Sequence, residues 1–181
     1  MKRFIVFLLI VIFGILGYFY FTKIGIFEER KSPKKTVVFA VDDLKLEVFY
    51  NRPSKRNREV FGALVPFNEV WRTGANEATT FETNKALKIG NDSLPKGKYT
   101  LWTIPNDTAW QVMFNTKQYK WGVDETMKPM RIPEFDVITY TTPVQHLENP
   151  VEQFTIAFDN STDNLSLTMA WDKAKVVVPL K

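Results

Sequence analysis

Residues 4 to 21 read FIVFLLIVIFGILGYFYF, eighteen consecutive positions with no charge and no strongly polar side chain. At about 1.5 Å per residue, a helical run of this length nearly crosses a ~30 Å hydrocarbon core. The segment TKIGIF that follows adds length, and Lys23 is long enough to snorkel from it. Tyr18, Phe19, Tyr20 and Phe21 stand where an interfacial aromatic belt would lie. The run therefore divides the chain before any other pattern is considered. It predicts an N-terminal transmembrane anchor over 1–27, a charged linker over 28–36 and a folded domain over 37–181. The apolar core exceeds a usual signal-peptide core, and no small-x-small cleavage site follows it, which favours an uncleaved signal anchor over a cleaved leader. With no cysteine in the chain, lipoprotein attachment, disulfides and thiolate chemistry are all excluded.

The net charge of +4 is unevenly placed. Residues 1–35 hold seven Lys/Arg and two Glu, a net of +5, and the remainder holds seventeen Lys/Arg against eighteen Asp/Glu, a net of −1. The basic character thus belongs to the segments flanking the apolar run, where it suits anionic lipid, and nucleic acid is not an expected partner. Membrane contact through residues 4–21 is. Lys2 and Arg3 precede the span while Lys23, Arg30, Lys31, Lys34 and Lys35 follow it, so counting positive charge alone would leave the domain in the cytoplasm.

Beyond Val37 the pattern becomes a series of short runs rich in Val, Ile, Thr, Phe, Tyr and Trp. They cover 44–50, 78–84, 85–90, 98–104, 109–115, 135–142, 151–159, 164–171 and 174–180, and are separated by turn signals such as NDSLPKG, PND, DNSTDN and WDK. Nine or so closely spaced strands, with no helical stripe after the anchor, predict an all-β domain: an antiparallel β-sandwich, or a barrel-like one. Four Asn-x-Ser/Thr triplets, at Asn91, Asn106, Asn160 and Asn164, fall in these turns.

Most common chemistries find no support. His146 is the single histidine and stands in a proline-bracketed stretch read as a loop, so neither a tetrahedral zinc site nor a serine triad is expected. Neither glycine fingerprint for nucleotides is present, and DNSTDN lacks the glycine and terminal Glu of a calcium loop. No metal and no cofactor is expected. Two segments remain. NRPSKRNRE (51–59) places Arg52, Lys55, Arg56 and Arg58 within seven positions, a cluster able to grip an anion or to form a solvated loop. WRTGANEATT (71–80) joins an indole, a guanidinium, a turn-forming glycine, an amide and a carboxylate. Gly74 and Asn76 favour a chain reversal there, and Arg72 and Glu77 are placed to pair across it. The segment reads either as the wall of a polar ligand site or as a corner brace in which Arg72 and Glu77 satisfy buried groups.

Taken together, NRPSKRNREVFGALVPFNEVWRTGANEATTF, LPKGKYTLWTIPND and the later WQVMFN resemble the DUF2911 family, found mostly in Bacteroidetes, over about 42–171. Asn51 departs from that family's usual serine, and Arg56-Asn57-Arg58 from its usual approach to the second arginine, which leaves Arg52 and Arg58 as the shared cations. The resemblance implies an exported domain, here in the periplasm, and supplies no activity. The site expected from these readings comprises Arg52, Arg58, Trp71, Arg72, Asn76 and Glu77, with Trp121 as a further stacking wall. Its occupant would be a small polar or carbohydrate-like ligand or an envelope protein. The enzymatic alternative is a hydrolase or lyase with Glu77 as base and Arg72 stabilising negative charge; the third reading is the brace alone.

Overall fold

The computed structural model describes residues 2–23, 30–162 and 164–181. The chain forms two units, Met1–Lys31 and Ser32–Lys181. The first holds α1 (Lys2–Lys23), one helix long and apolar enough to cross a membrane, whose large side chains are exposed along their length. The second is an antiparallel β domain. Its strands are β1 (Lys34–Val41), β2 (Leu44–Asn51), β3 (Thr80–Thr83), β4 (Leu87–Ile89), β5 (Asp92–Leu94), β6 (Gly97–Ile104), β7 (Ala109–Asn115), β8 (Asp136–Pro143), β9 (Gln145–Asp159) and β10 (Ser166–Pro179). A six-stranded sheet runs in the order β1-β2-β3-β6-β7-β8, and β9-β10 and β4-β5 form two further ribbons.

Period-two alternation explains how these layers meet. On β2, Leu46, Val48 and Tyr50 are fully buried, while their neighbours Lys45, Glu47 and Phe49 are not. The long β9-β10 ribbon lies over that apolar face. Phe154 packs on Tyr50 with ring centroids 5.8 Å apart, and Phe158 reaches both Phe39 and Phe81. Phe81, Leu101, Phe114, Phe154, Ile156, Met169 and Trp171 are among the side chains closing the core between them. Strand β6 departs from the alternation because both of its faces are covered. Leu101 faces the main core, whereas Thr100 and Trp102 meet the connection that follows β7. Thr100 Oγ1 donates to Lys117 O at 2.8 Å, and Trp102 makes an edge contact with Tyr119.

Four sequence expectations are corrected. Residues 34–36 belong to β1 and not to a linker, because Lys34, Lys35 and Thr36 pair with Asn51, Tyr50 and Phe49 on a strand whose register extends past its apolar residues. His146 lies on β9 opposite Ala174, since β9 begins before the proline that suggested a loop. Asp92–Leu94 within the stretch read as a turn is itself a strand, with only Gly90 and Asn91 between it and β4. Finally, Trp171-Asp172-Lys173 is not a turn between strands: Asp172 takes φ 51°, the register shifts on both sides of it, and β10 continues through the irregularity.

Phe81 is fully buried between Phe114 and Phe158, at 5.3 and 6.4 Å, so it tests whether the sheet and ribbon share one core. Phe81→Ala should cost about 3–5 kcal/mol in denaturant unfolding of the detergent-solubilised chain. A loss below about 1 kcal/mol would show that this site can collapse without penalty.

Candidate functional site

The segment 71–80 is a corner tied at three levels. Trp71 forms an isolated antiparallel bridge to Thr103 of β6, its N–H donating to Thr103 O at 2.7 Å and its carbonyl accepting from Thr103 N at 3.0 Å. Thr73, Thr79 and Thr103 are fully buried and linked through hydroxyls. Thr73 Oγ1 and Thr103 Oγ1 lie 3.2 Å apart, and Thr79 Oγ1 donates to Thr73 O at 2.7 Å. Thr73 and Asn76 take φ 54° and 55°, in the left-handed region, and Gly74 takes φ 151°. A side chain at Gly74 would place its Cβ 2.9 Å from the backbone oxygen of Asn51, so only glycine fits. The indole Nε1 of Trp71 donates to Gly74 O at 3.1 Å, closing the corner on itself.

Alternation of the bridge sends Trp71 and Arg72 in opposite directions. Trp71 enters an aromatic cluster, stacking on Trp171 at 6.0 Å with 19° between ring planes and meeting Phe154 edge-on at 5.0 Å. Arg72 turns toward the segment after β7. Its stem passes so close to Gly122 that a Cβ there would lie 2.6 Å from Arg72 Cβ. Its Nε is buried without a hydrogen-bond partner among the described residues, and burial lowers the guanidinium pKa from its ordinary value. The expected pairing with Glu77 is not formed. Glu77 instead bonds Lys34 Nζ at 2.9 Å, because the left-handed residues of the corner carry it away from Arg72 and β1 supplies a nearer cation.

Trp71 and Arg72 together face a cavity of about 420 Å³. Trp171, Leu64, Val65, Pro66 and Val70 provide its apolar wall, Val123, Met127 and Pro129 come from the post-β7 segment, and Arg58, Glu69 and Ser32 add polar groups. This volume lies in the range of small-molecule sites. Of the residues singled out from sequence, Arg58, Trp71 and Arg72 line it. Arg58 is held in place by its own loop, donating from Nε to Lys55 O at 3.0 Å and from Nη2 to Ser54 O at 2.7 Å.

The other four do not line it. Arg52 crosses to the ribbon, donating from Nε to Phe154 O at 3.2 Å and from Nη2 to Thr155 Oγ1 at 3.0 Å, and so braces β2 against β9. Asn76 donates to Ser32 O at 3.4 Å, and Glu77 is held by Lys34. Trp121 lines a separate, more open groove that shares Val123 and Met127 with the cavity. Sequence reasoning missed the aliphatic wall 64–70, although its LVPFNEV text lay inside the quoted pattern. Nothing in the sequence signalled Val123, Met127 or Pro129.

With no pairing to lose, Arg72→Met should keep the stem packing on Gly122 and remove the unpartnered Nε. Its melting temperature should match or exceed that of the wild type, whereas a buried ion-pair brace would lose about 3–5 kcal/mol. Thermal unfolding of the full chain in detergent distinguishes the two.

No curated protein and no solved structure matches the chain. A family model described as a protein of unknown function does match, over residues 32–180, which takes in every strand of the β domain and every residue of the cavity. The chain belongs to the DUF2911 family.

Proposed function

We propose that this chain is a membrane-anchored binding module whose cavity takes a small anionic or strongly hydrogen-bond-accepting ligand with a ring-like or apolar body, acidic sugars included. The observation that carries this reading is Arg72, half-buried in the lining of a 420 Å³ cavity, with no hydrogen bond to its Nε and no ion pair among the described residues. A guanidinium at a cavity wall with no counter-charge beside it can offer forked donors to an incoming carboxylate or phosphate. Trp71 and Trp171, packed on each other, contribute apolar edges to the cavity wall beside Leu64, Val65 and Val70. Arg58 adds a second cation at the same cavity.

The hydrolytic alternative has less support. Glu77, its intended base, is engaged by Lys34 and lies outside the cavity lining, so it has no shared substrate position with Arg72. Anchoring rests on α1, and an outward-facing domain rests on the export signals that the family resemblance implies.

Titration of the full chain with glucuronate, benzoate and inorganic phosphate tests the binding reading, with the neutral parent sugar as control. At least one anion should bind, and Arg72→Met should weaken it by tenfold or more while leaving the melting temperature intact; tenfold corresponds to about 1.4 kcal/mol, within the range of one charged hydrogen bond. Equal affinity of wild type and variant for every anion would remove Arg72 from the site. For orientation, a C-terminal alkaline phosphatase fusion should be active, since that enzyme folds only after export; an inactive fusion with full expression would place the domain inside.

A further inference from the structure

Between β7 and β8 the chain makes a closed loop that turns apolar side chains outward. Val123 bridges Pro129, Met130 N donates to Gly122 O at 3.2 Å, and Asp124 N donates to Lys128 O at 2.9 Å. The Asp124 carboxylate accepts from Thr126 N, Thr126 Oγ1 and Lys128 N at 2.8, 2.8 and 3.0 Å. Five of its backbone N–H groups, those of Asp124, Thr126, Met127, Lys128 and Met130, are answered within the loop, which holds its shape and suits it to the polar headgroup region. It presents Trp121, Met127 and Met130, exposed by 44%, 66% and 44%. These are large fractions for side chains of this kind clustered on one tip.

The position of this tip identifies its partner. Met127, Val123 and Pro129 line the same cavity as Ser32, the first residue of the β unit. The tip therefore stands at the end of the domain from which the chain leads back to α1. Only eight residues, 24–31, separate the end of that helix from Ser32. Fully extended, they reach about 28 Å at most. We propose that the 121–130 loop is a membrane-docking surface, with Trp121, Met127 and Met130 seated among the headgroups of the bilayer that α1 spans. This rests on α1 being an anchor. Tryptophan is the side chain most at home at that depth, with an apolar ring and one N–H donor. Lys117, Lys120 and Lys128 at and beside the tip outnumber Asp124 and Glu125 by one, a small excess that suits an anionic lipid surface.

The distribution of tryptophans makes this directly testable. All five, at 71, 102, 110, 121 and 171, lie in the β unit and none in α1. Trp102, Trp110 and Trp171 are buried, and Trp121 is the most exposed. The full chain would be reconstituted into phosphatidylcholine–phosphatidylglycerol vesicles with or without brominated acyl chains, after flotation confirms that it travels with the lipid. Brominated lipid should quench a measurable share of the tryptophan emission, and Trp121→Phe should abolish that quenching. Equal emission in both lipids from chain that floats overturns the docking surface while leaving the anchor intact. Quenching that persists in Trp121→Phe assigns the contact to another face and likewise overturns it. Chain that fails to float overturns the anchor and the docking surface together.

Discussion

The backbone bridge between Trp71 and Thr103 is the constraint on which the rest of the site depends. It is a single pair outside the regular ladders, yet it fixes which way each neighbour points. With Trp71 held to β6, its indole must enter the core and stack on Trp171 of β10, so one residue ties the six-stranded sheet to the ribbon. By the same alternation Arg72 must leave on the opposite side, toward Gly122. A cavity arises where these two directions part. The indole and the guanidinium in its lining are thus consequences of one register, not separate inventions.

At this corner Arg72 forms no ion pair among the described residues. Glu77, the carboxylate expected to pair with it, is committed to Lys34. Glu69 lines the same cavity but forms no ion pair with Arg72 among the described residues. Burial of such a group is unfavourable, and its lowered pKa expresses that cost. A partly buried cation keeps some of its hydration, so the cost is partial. That the chain keeps one beside a cavity of ligand size is a physical reason to look for an anionic occupant there.

Much of the fold was legible because strands announce themselves by period two. LKLEVFY on β2 alternates cleanly and lies where expected, and the 151–159 run forms the second half of β9, which begins six residues earlier. What could not be read was whatever depends on a distant partner. Lys34-Lys35-Thr36 looks like a linker until β2 is placed beside it. The pairing of Arg72 with Glu77 is plausible from their separation of five residues, but two left-handed residues between or beside them rotate the carboxylate away. Arg52 and Arg58 look equivalent in one basic run, yet one is spent on the ribbon and the other remains at the cavity. The covering segment after β7 has no periodicity at all, and its contribution of Val123, Met127 and Pro129 follows only from the turn that Asp124 closes.

The rigidity of the corner also bears on what the cavity can do. Thr73, Thr79 and Thr103 lock its backbone through buried hydroxyls, Gly74 and Gly122 permit approaches that any side chain would block, and the 121–130 loop carries its own hydrogen bonds. Arg72 has its stem gripped against Gly122, so few rotamers are left to lose when a ligand arrives. A site prepared in this way spends little of its interaction energy on ordering itself. Even one charge-assisted contact against an apolar wall can then show as measurable affinity.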